Sequence, residues 1–198
     1  MEEFNISLRS HFSSWVRATT LGWASGVPAI VLFAVVAESL GQHSLHTPVG
    51  AGMGLAVGFF QSRAIRRWNL RAWPWFWSCL LGLTAPFLAA DLLRLAGVDI
   101  PYSLYLSVVV AGLIVGVSQA LLLRPRFTPA AAWVAATVLG WSLASGSVAL
   151  ADRLVRFKTP RGIPGALAYL GLVASGGPVL AVITGLVLVW RPRSEPAA

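Results

Sequence analysis

Hydrophobic positions in this chain run together in long blocks, and the polar positions gather between them. Apolar windows fall at about residues 16–37, 49–66, 74–93, 102–123, 130–151 and 168–190. Each holds roughly 18 to 23 residues, which as a helix rising about 1.5 Å per residue covers a hydrocarbon core of about 30 Å. The pattern predicts six transmembrane helices in one integral membrane domain spanning residues 1–198, with no soluble domain left over.

A second regularity lies inside the windows. Trp15, Leu21 and Gly22 recur as Trp75, Leu81 and Gly82, and again as Trp133, Leu139 and Gly140, so W-x5-L-G opens the odd spans. The even spans repeat another pattern: Gly54, Gly58 and Gln61 match Gly112, Gly116 and Gln119, with a weaker third copy at Gly177, Ala181 and Thr184. The chain therefore reads as three tandem helical hairpins, about 15–68, 73–126 and 130–191. Parallel repeats of an even number of spans imply a pseudo-threefold axis along the membrane normal. Recurrence of the first span's motif also predicts that this span is retained, not cleaved as a signal peptide.

Composition agrees with lipid as the solvent. Only 11% of residues are charged and 57% are hydrophobic, with a mean hydropathy of +0.73, against about 25% charged in an ordinary soluble domain. The net charge of +8 does not point to nucleic acid, because the basic residues sit between apolar segments and form no single patch. They orient the chain instead. With the N-terminus cytoplasmic, ten basic residues lie inside (Arg9, Arg17, Arg63, Arg66, Arg67, Arg71, Arg124, Arg126, Arg191 and Arg193). Five lie outside: Arg94, Arg153, Arg156, Lys158 and Arg161. The excess predicts both termini in the cytoplasm. Four of the outer five crowd into Asp152–Gly165, where the third repeat is longer than the others. Either a solvated loop or a contact with anionic lipid or an acidic partner accounts for that segment.

The repeated residues suggest packing before chemistry. Positions 54, 58 and 61 are spaced i, i+4, i+7, one stripe of a helix. Small residues on such a stripe let neighbouring backbones approach closely, and Gly22, Gly82 and Gly140 suit the same task. The polar member of each stripe, Gln61, Gln119 or Thr184, is then an interhelical hydrogen bond. The alternative is a polar ring around the axis, able to bind or pass a neutral solute. Trp15, Trp75 and Trp133 begin their spans on the arginine side, where aromatic anchors sit in a bilayer interface. Trp68, Trp73, Trp77 and Trp190 fit the same band, while Trp23 and Trp141 lie two turns deeper and are expected against the glycine stripes.

Catalytic chemistry finds no foothold. Span interiors hold no ionisable group, the usual mark of turnover or ion coupling within a membrane. Glu38, Asp91 and Asp152 fall near the outer ends of odd spans, as local pairs (Asp91 with Arg94, Asp152 with Arg156) or as a carboxylate rim. His43 and His46 share the loop GQHSLHTP without a third ligand type, so no metal is expected there. Neither a cofactor nor a catalytic residue is expected. Cys79 is alone and reads as a small buried apolar residue. Gly176-Gly177-Pro178 suggests a kink or break in the last span.

The combination W-x5-LGW-x2-G followed by GxxxGxxQxxxxR, with a last span reading AVITGLVLVW (181–190), resembles a group of small bacterial six-span integral membrane proteins. The resemblance covers nearly the whole chain and implies a multi-pass protein of the bacterial inner membrane; it transfers no active site. This chain departs from the pattern at Leu83, where the other repeats have Trp23 and Trp141, and at Thr184, where they have glutamine. The sequence thus describes an all-α membrane protein that scaffolds or accompanies a larger membrane assembly. The alternative is a carrier or channel for a neutral or weakly polar solute through an axial Gln61, Gln119 and Thr184 site.

Overall fold

The structure, a computed structural model, describes residues 2–124, 130–157 and 163–189. Among them the chain is helical, without a strand: α1 Glu2–Ser39, α2 Thr47–Ile65, α3 Ala72–Leu95, α4 Ser103–Leu123, α5 Ala130–Phe157 and α6 Ile163–Val189. Five of the six contain stretches long and apolar enough to cross a membrane: Ser10–Ser39, Ala72–Leu95, Ser103–Leu123, Ala130–Leu154 and Leu167–Val189. The exception is α2, where Gly50, Gly52, Gly54, Gly58 and Gln61 lower the apolarity. More than half of α2 is buried between its neighbours, so it relies less on lipid than on protein for its solvation.

The helix ends follow local chemistry. Gly41 and Gly97 adopt φ of +75° and +82°, and the backbone closes behind α1 and α3 through Gln42 N–H to the Ala37 carbonyl and Val98 N–H to the Leu93 carbonyl. This is the six-to-one bond of a glycine-terminated helix. After α2 a single 3₁₀ turn, Arg66–Trp68, ends at Asn69 in the left-handed region, a conformation asparagine tolerates better than most residues. Of the expected kink or break at Gly176, Gly177 and Pro178, the break does not occur: α6 runs on through them as one helix.

Each helix packs against its neighbours in sequence, and α1 packs against α6, which closes a ring. We call the end carrying Trp15 and the α2–α3 connection proximal, and the end carrying the α1–α2 and α3–α4 connections distal. The buried interior divides into two clusters. The proximal one holds Trp15, Ile65, Trp68, Trp75, Cys79, Trp133 and Leu188; the distal one holds Trp23, Val57, Leu83, Phe87, Trp141 and Leu180.

The partition of side chains is that of a bundle solvated by lipid. The repeated Leu21, Leu81 and Leu139 are 53%, 59% and 56% exposed, whereas Trp15, Trp75 and Trp133 are 0%, 0% and 2% exposed. In hydrocarbon no force drives leucine inward, but an indole N–H placed there without a partner is costly. The tryptophans expected as interfacial anchors are therefore turned into the bundle. The N–H groups of Trp15 and Trp75 bond to neighbouring helices, that of Trp133 has no partner among the described residues, and the helix exterior is left to leucine and valine. Trp68 is buried as well, while Trp73 and Trp77 remain on the outside. Trp190, Arg126, Arg191 and Arg193 lie outside the described residues.

Candidate functional site

The proximal tryptophans meet at the centre of the ring. Trp15 and Trp75 lie 5.8 Å apart between ring centroids, Trp15 and Trp133 5.9 Å, and Trp75 and Trp133 5.8 Å, all with edge-to-face character. Such geometry aligns the positive edge of one ring with the negative face of the next. Three indoles in mutual contact fill the interior at this level.

Behind the indoles stands a polar layer. Gln61 Nε2 donates to Thr19 Oγ1 at 3.1 Å, and Gln61 Oε1 accepts from Trp75 Nε1 at 3.2 Å. Gln119 Nε2 donates to Cys79 Sγ at 3.1 Å, and that thiol lies 3.7 Å from Gln61 Oε1. Thr184 Oγ1 accepts from Trp15 Nε1 at 3.0 Å and donates to the Leu180 carbonyl at 2.7 Å. All three residues expected on the polar stripe are buried. Each is bonded to its neighbours. Sequence reasoning named the acceptors and missed their partners, although Thr19, Cys79 and Thr137 each follow a motif tryptophan by four residues, one turn along the same face.

Glycines set the distances across this layer. A Cβ built on Gly54 would lie 2.9 Å from Leu80 Cα, one on Gly58 2.9 Å from Cys79 Cβ, and one on Gly22 2.8 Å from Val57 Cα. The counterparts face counterparts: Gly112 and Gly116 meet Val138 and Val134, while Gly82 and Gly140 meet Val115 and Leu180. Gly177 faces Thr20 Cα at 3.2 Å and Trp23 Cβ at 2.9 Å, with Ala181 fully buried one turn on. At Gly22 and Gly54 the nearest atoms are backbone under 3.0 Å away, so a larger residue there must displace a helix; at Gly82 and Gly140 it would first displace side-chain ends.

Distally the structure alters the expected electrostatics. Asp91 is buried, so no exposed rim of Glu38, Asp91 and Asp152 forms. Its carboxylate accepts from the backbone N–H of His46 at 2.9 Å and of Thr47 at 2.7 Å, and from Thr47 Oγ1 at 2.7 Å. Arg94 approaches it at 3.9 Å and donates to the Ser44 carbonyl at 2.7 Å. Asp91 thereby caps α2 from another helix, where free N–H groups and the positive end of the helix dipole favour a carboxylate. Asp152 accepts from Tyr169 Oη at 3.1 Å. The basic loop expected at 152–165 is shorter, because α5 continues to Phe157 and α6 begins at Ile163. Arg153 is exposed on α5 and Arg156 belongs to its last turn. Lys158 and Arg161 lie outside the described residues.

Between the distal cluster and the distal end is a cavity of about 400 Å³. All six helices wall it, through Ile30, Met53, Phe87, Val108, Val148 and Val173. Trp23, Leu83 and Trp141 form its floor, with the two indoles 5.8 Å apart and Trp23 Nε1 donating to the Val173 carbonyl at 2.8 Å. Comparison with known protein families, curated proteins and solved structures found no match to this chain.

Proposed function

We propose that the chain is a non-catalytic integral membrane protein that serves as a scaffold or accessory subunit of a larger membrane assembly. On this reading its six helices are three copies of one hairpin about a pseudo-threefold axis. They lie in the bacterial inner membrane, as the sequence resemblance implies, with both termini cytoplasmic, as the distribution of basic residues implies. The observation that carries the proposal is the trio of proximal indoles, which occupies the axis where a conducting protein needs an opening.

Cyclic repetition of contacts supports the threefold reading. Gly54 meets Leu80, Gly112 meets Val138, and Gly177 meets Thr20, so α6 faces α1 as α2 faces α3 and α4 faces α5. The tryptophan bonds follow the same cycle, from Trp75 to Gln61 on the preceding helix and from Trp15 to Thr184 across the closure. A solute path through Gln61, Gln119 and Thr184 fits less well, since these groups are engaged with their neighbours and stand behind the indoles.

Reconstitution tests the reading. Vesicles holding the protein should shrink in glycerol or urea gradients at the rate of empty vesicles, and mild-detergent purification should retain a protein partner. Facilitated flux that Gln119→Leu abolishes would sink the scaffold assignment in favour of a carrier. Reporter fusions at His46 and Asn69 should report opposite sides of the membrane; the same side for both would overturn the topology.

A further inference from the structure

The distal cavity has the features of a ligand site. Its volume of about 400 Å³ falls within the range of about 300 to 1,000 Å³ usual for small-molecule pockets. Protein interiors otherwise pack as densely as organic crystals, and the proximal half of this bundle is filled by indoles. A void of this size at the distal half leaves its lining atoms without dispersion partners. The walls are apolar on every helix, so water has too few polar groups to be held there. An alkyl chain, by contrast, is the material a membrane supplies on all sides.

The shape and the polar groups narrow the occupant. Eight residues of α1 separate Trp23 at the floor from Val31 at the rim, a depth of about 12 Å, which takes an extended alkyl chain of roughly eight to ten carbons. Val31, Leu104 and Tyr105 at the rim are also exposed on the bundle exterior, which leaves a sideways entrance from lipid. Apart from the indoles and the exposed Tyr105 at the rim, Ser145, Asp152 and Tyr169 bring polar side chains to the lining. The Ser145 hydroxyl is committed to the Trp141 carbonyl at 2.6 Å, and the Tyr169 hydroxyl to Asp152. What these three offer an entering molecule is therefore acceptor capacity, above all the carboxylate, which accepts up to about four hydrogen bonds.

We infer that the distal cavity binds a single-chain amphiphile drawn from the surrounding bilayer. Its alkyl tail rests on Trp23 and Trp141, and its hydroxyl or amine head is held by Asp152 and Tyr169. An anionic head is disfavoured at the same place by the carboxylate. The inference is separate from the scaffold assignment, because it depends on the distal half alone.

The floor tryptophans supply the assay. The full chain in nanodiscs is titrated with ω-bromo alkyl probes of roughly ten carbons, whose bromine quenches an indole on contact, carrying an alcohol, amine or carboxylic acid head. The expected result is saturable quenching by the alcohol and the amine, lost in the Trp23→Phe/Trp141→Phe double variant. Leu83→Trp, which places a third indole on the floor, should weaken binding at least tenfold. Should that variant fail to fold, Val148→Phe fills the same space from another helix. Asp152→Asn should erase the preference for amine over acid while leaving tail-dependent quenching in place. Non-saturable quenching that is equal in wild type and the filled variants would overturn the site, as would a retained two-chain phospholipid that the probes cannot displace. Tightest binding by the acid would overturn the head-group assignment.

Discussion

Replacing Gln61 by leucine tests whether the proximal polar layer holds the bundle together. The two side chains are similar in volume, so the change falls mainly on hydrogen bonding. The variant loses the bond to Thr19 at 3.1 Å, the bond from Trp75 at 3.2 Å and the weak thiol contact of Cys79 at 3.7 Å. Interhelical hydrogen bonds within a bilayer average about 0.6 kcal/mol and reach about 1.7. Trp75 and Thr19 are both fully buried, and a buried group left unsatisfied costs about 1–3 kcal/mol. The expected loss is therefore about 2–3 kcal/mol. Gln119→Leu forfeits one side-chain bond among the described residues, that to Cys79 at 3.1 Å, and should cost about 1 kcal/mol or less. Reversible unfolding in mixed detergent micelles, followed by tryptophan fluorescence, measures both. A double-mutant cycle with Trp75→Phe should return a coupling of about 0.5–1.5 kcal/mol, because residues in contact are non-additive. If Gln61→Leu unfolds within about 0.3 kcal/mol of wild type, against the bilayer average, with no coupling to Trp75, the polar layer does not stabilise the fold and the account of the stripe is wrong.

Three further substitutions probe the same architecture. Gly54→Leu drives a side chain into the backbone of Leu80 and Cys79 and should abolish folding or cost more than about 3 kcal/mol, at the upper end of overpacking effects. Gly171→Ala, with nothing within 4 Å of the added carbon, should be neutral or stabilise by up to about 1 kcal/mol; a detergent thermal melt distinguishes the pair. Asp91→Ala removes the acceptor for the His46 and Thr47 amides, bonds to a charged group worth about 1.5–3 kcal/mol each. Hydrogen exchange at those amides should quicken more than tenfold while that of Gly54 stays unchanged, and equal exchange in both proteins would refute the tertiary cap.

How legible the molecule was depends on the range of each interaction. Helix positions and glycine stripes follow from local spacing, and each observed helix contains or closely matches its predicted window. The low apolarity of α2 was also present in its glycines, though a window-based reading treats a protein-facing helix like a lipid-facing one. Trp15, Trp75 and Trp133 read as anchors in the sequence and are buried in the bundle, because the same residue type serves interfacial anchoring and core packing. The discriminating sign was the polar or thiol residue four positions on, at Thr19, Cys79 and Thr137, which marks a face turned toward protein. The Asp91 cap spans 44 and 45 residues of sequence, so nothing in the local spacing of Asp91 and Arg94 reveals it. The cavity belongs to no single stretch, since all six helices wall it.

The departures from the repeat sharpen what the glutamine is for. Thr184 replaces the amide in the third copy, yet Trp15 keeps its acceptor at 3.0 Å. Trp133, whose counterpart acceptor is the retained Gln119, has a buried N–H with no hydrogen-bond partner among the described residues. An acceptor for the indole is thus separable from the glutamine. What threonine cannot supply is the amide donor that reaches back to the preceding helix, to Thr19 from Gln61 and to Cys79 from Gln119. In the third copy the residue at that place, Thr137, turns instead to the Trp133 carbonyl at 2.8 Å. At this layer the third hairpin therefore lacks the amide clasp of the first two; Gly140 packs closely on Leu180 there, and the Tyr169–Asp152 bond joins α5 and α6 further along. Leu83 is the second departure, and it acts on the other layer. An indole there would complete a distal trio like the proximal one, whereas leucine leaves two tryptophans as the floor of a cavity. The proximal layer keeps all three of its tryptophans and is closed; the distal layer gives up one and is open.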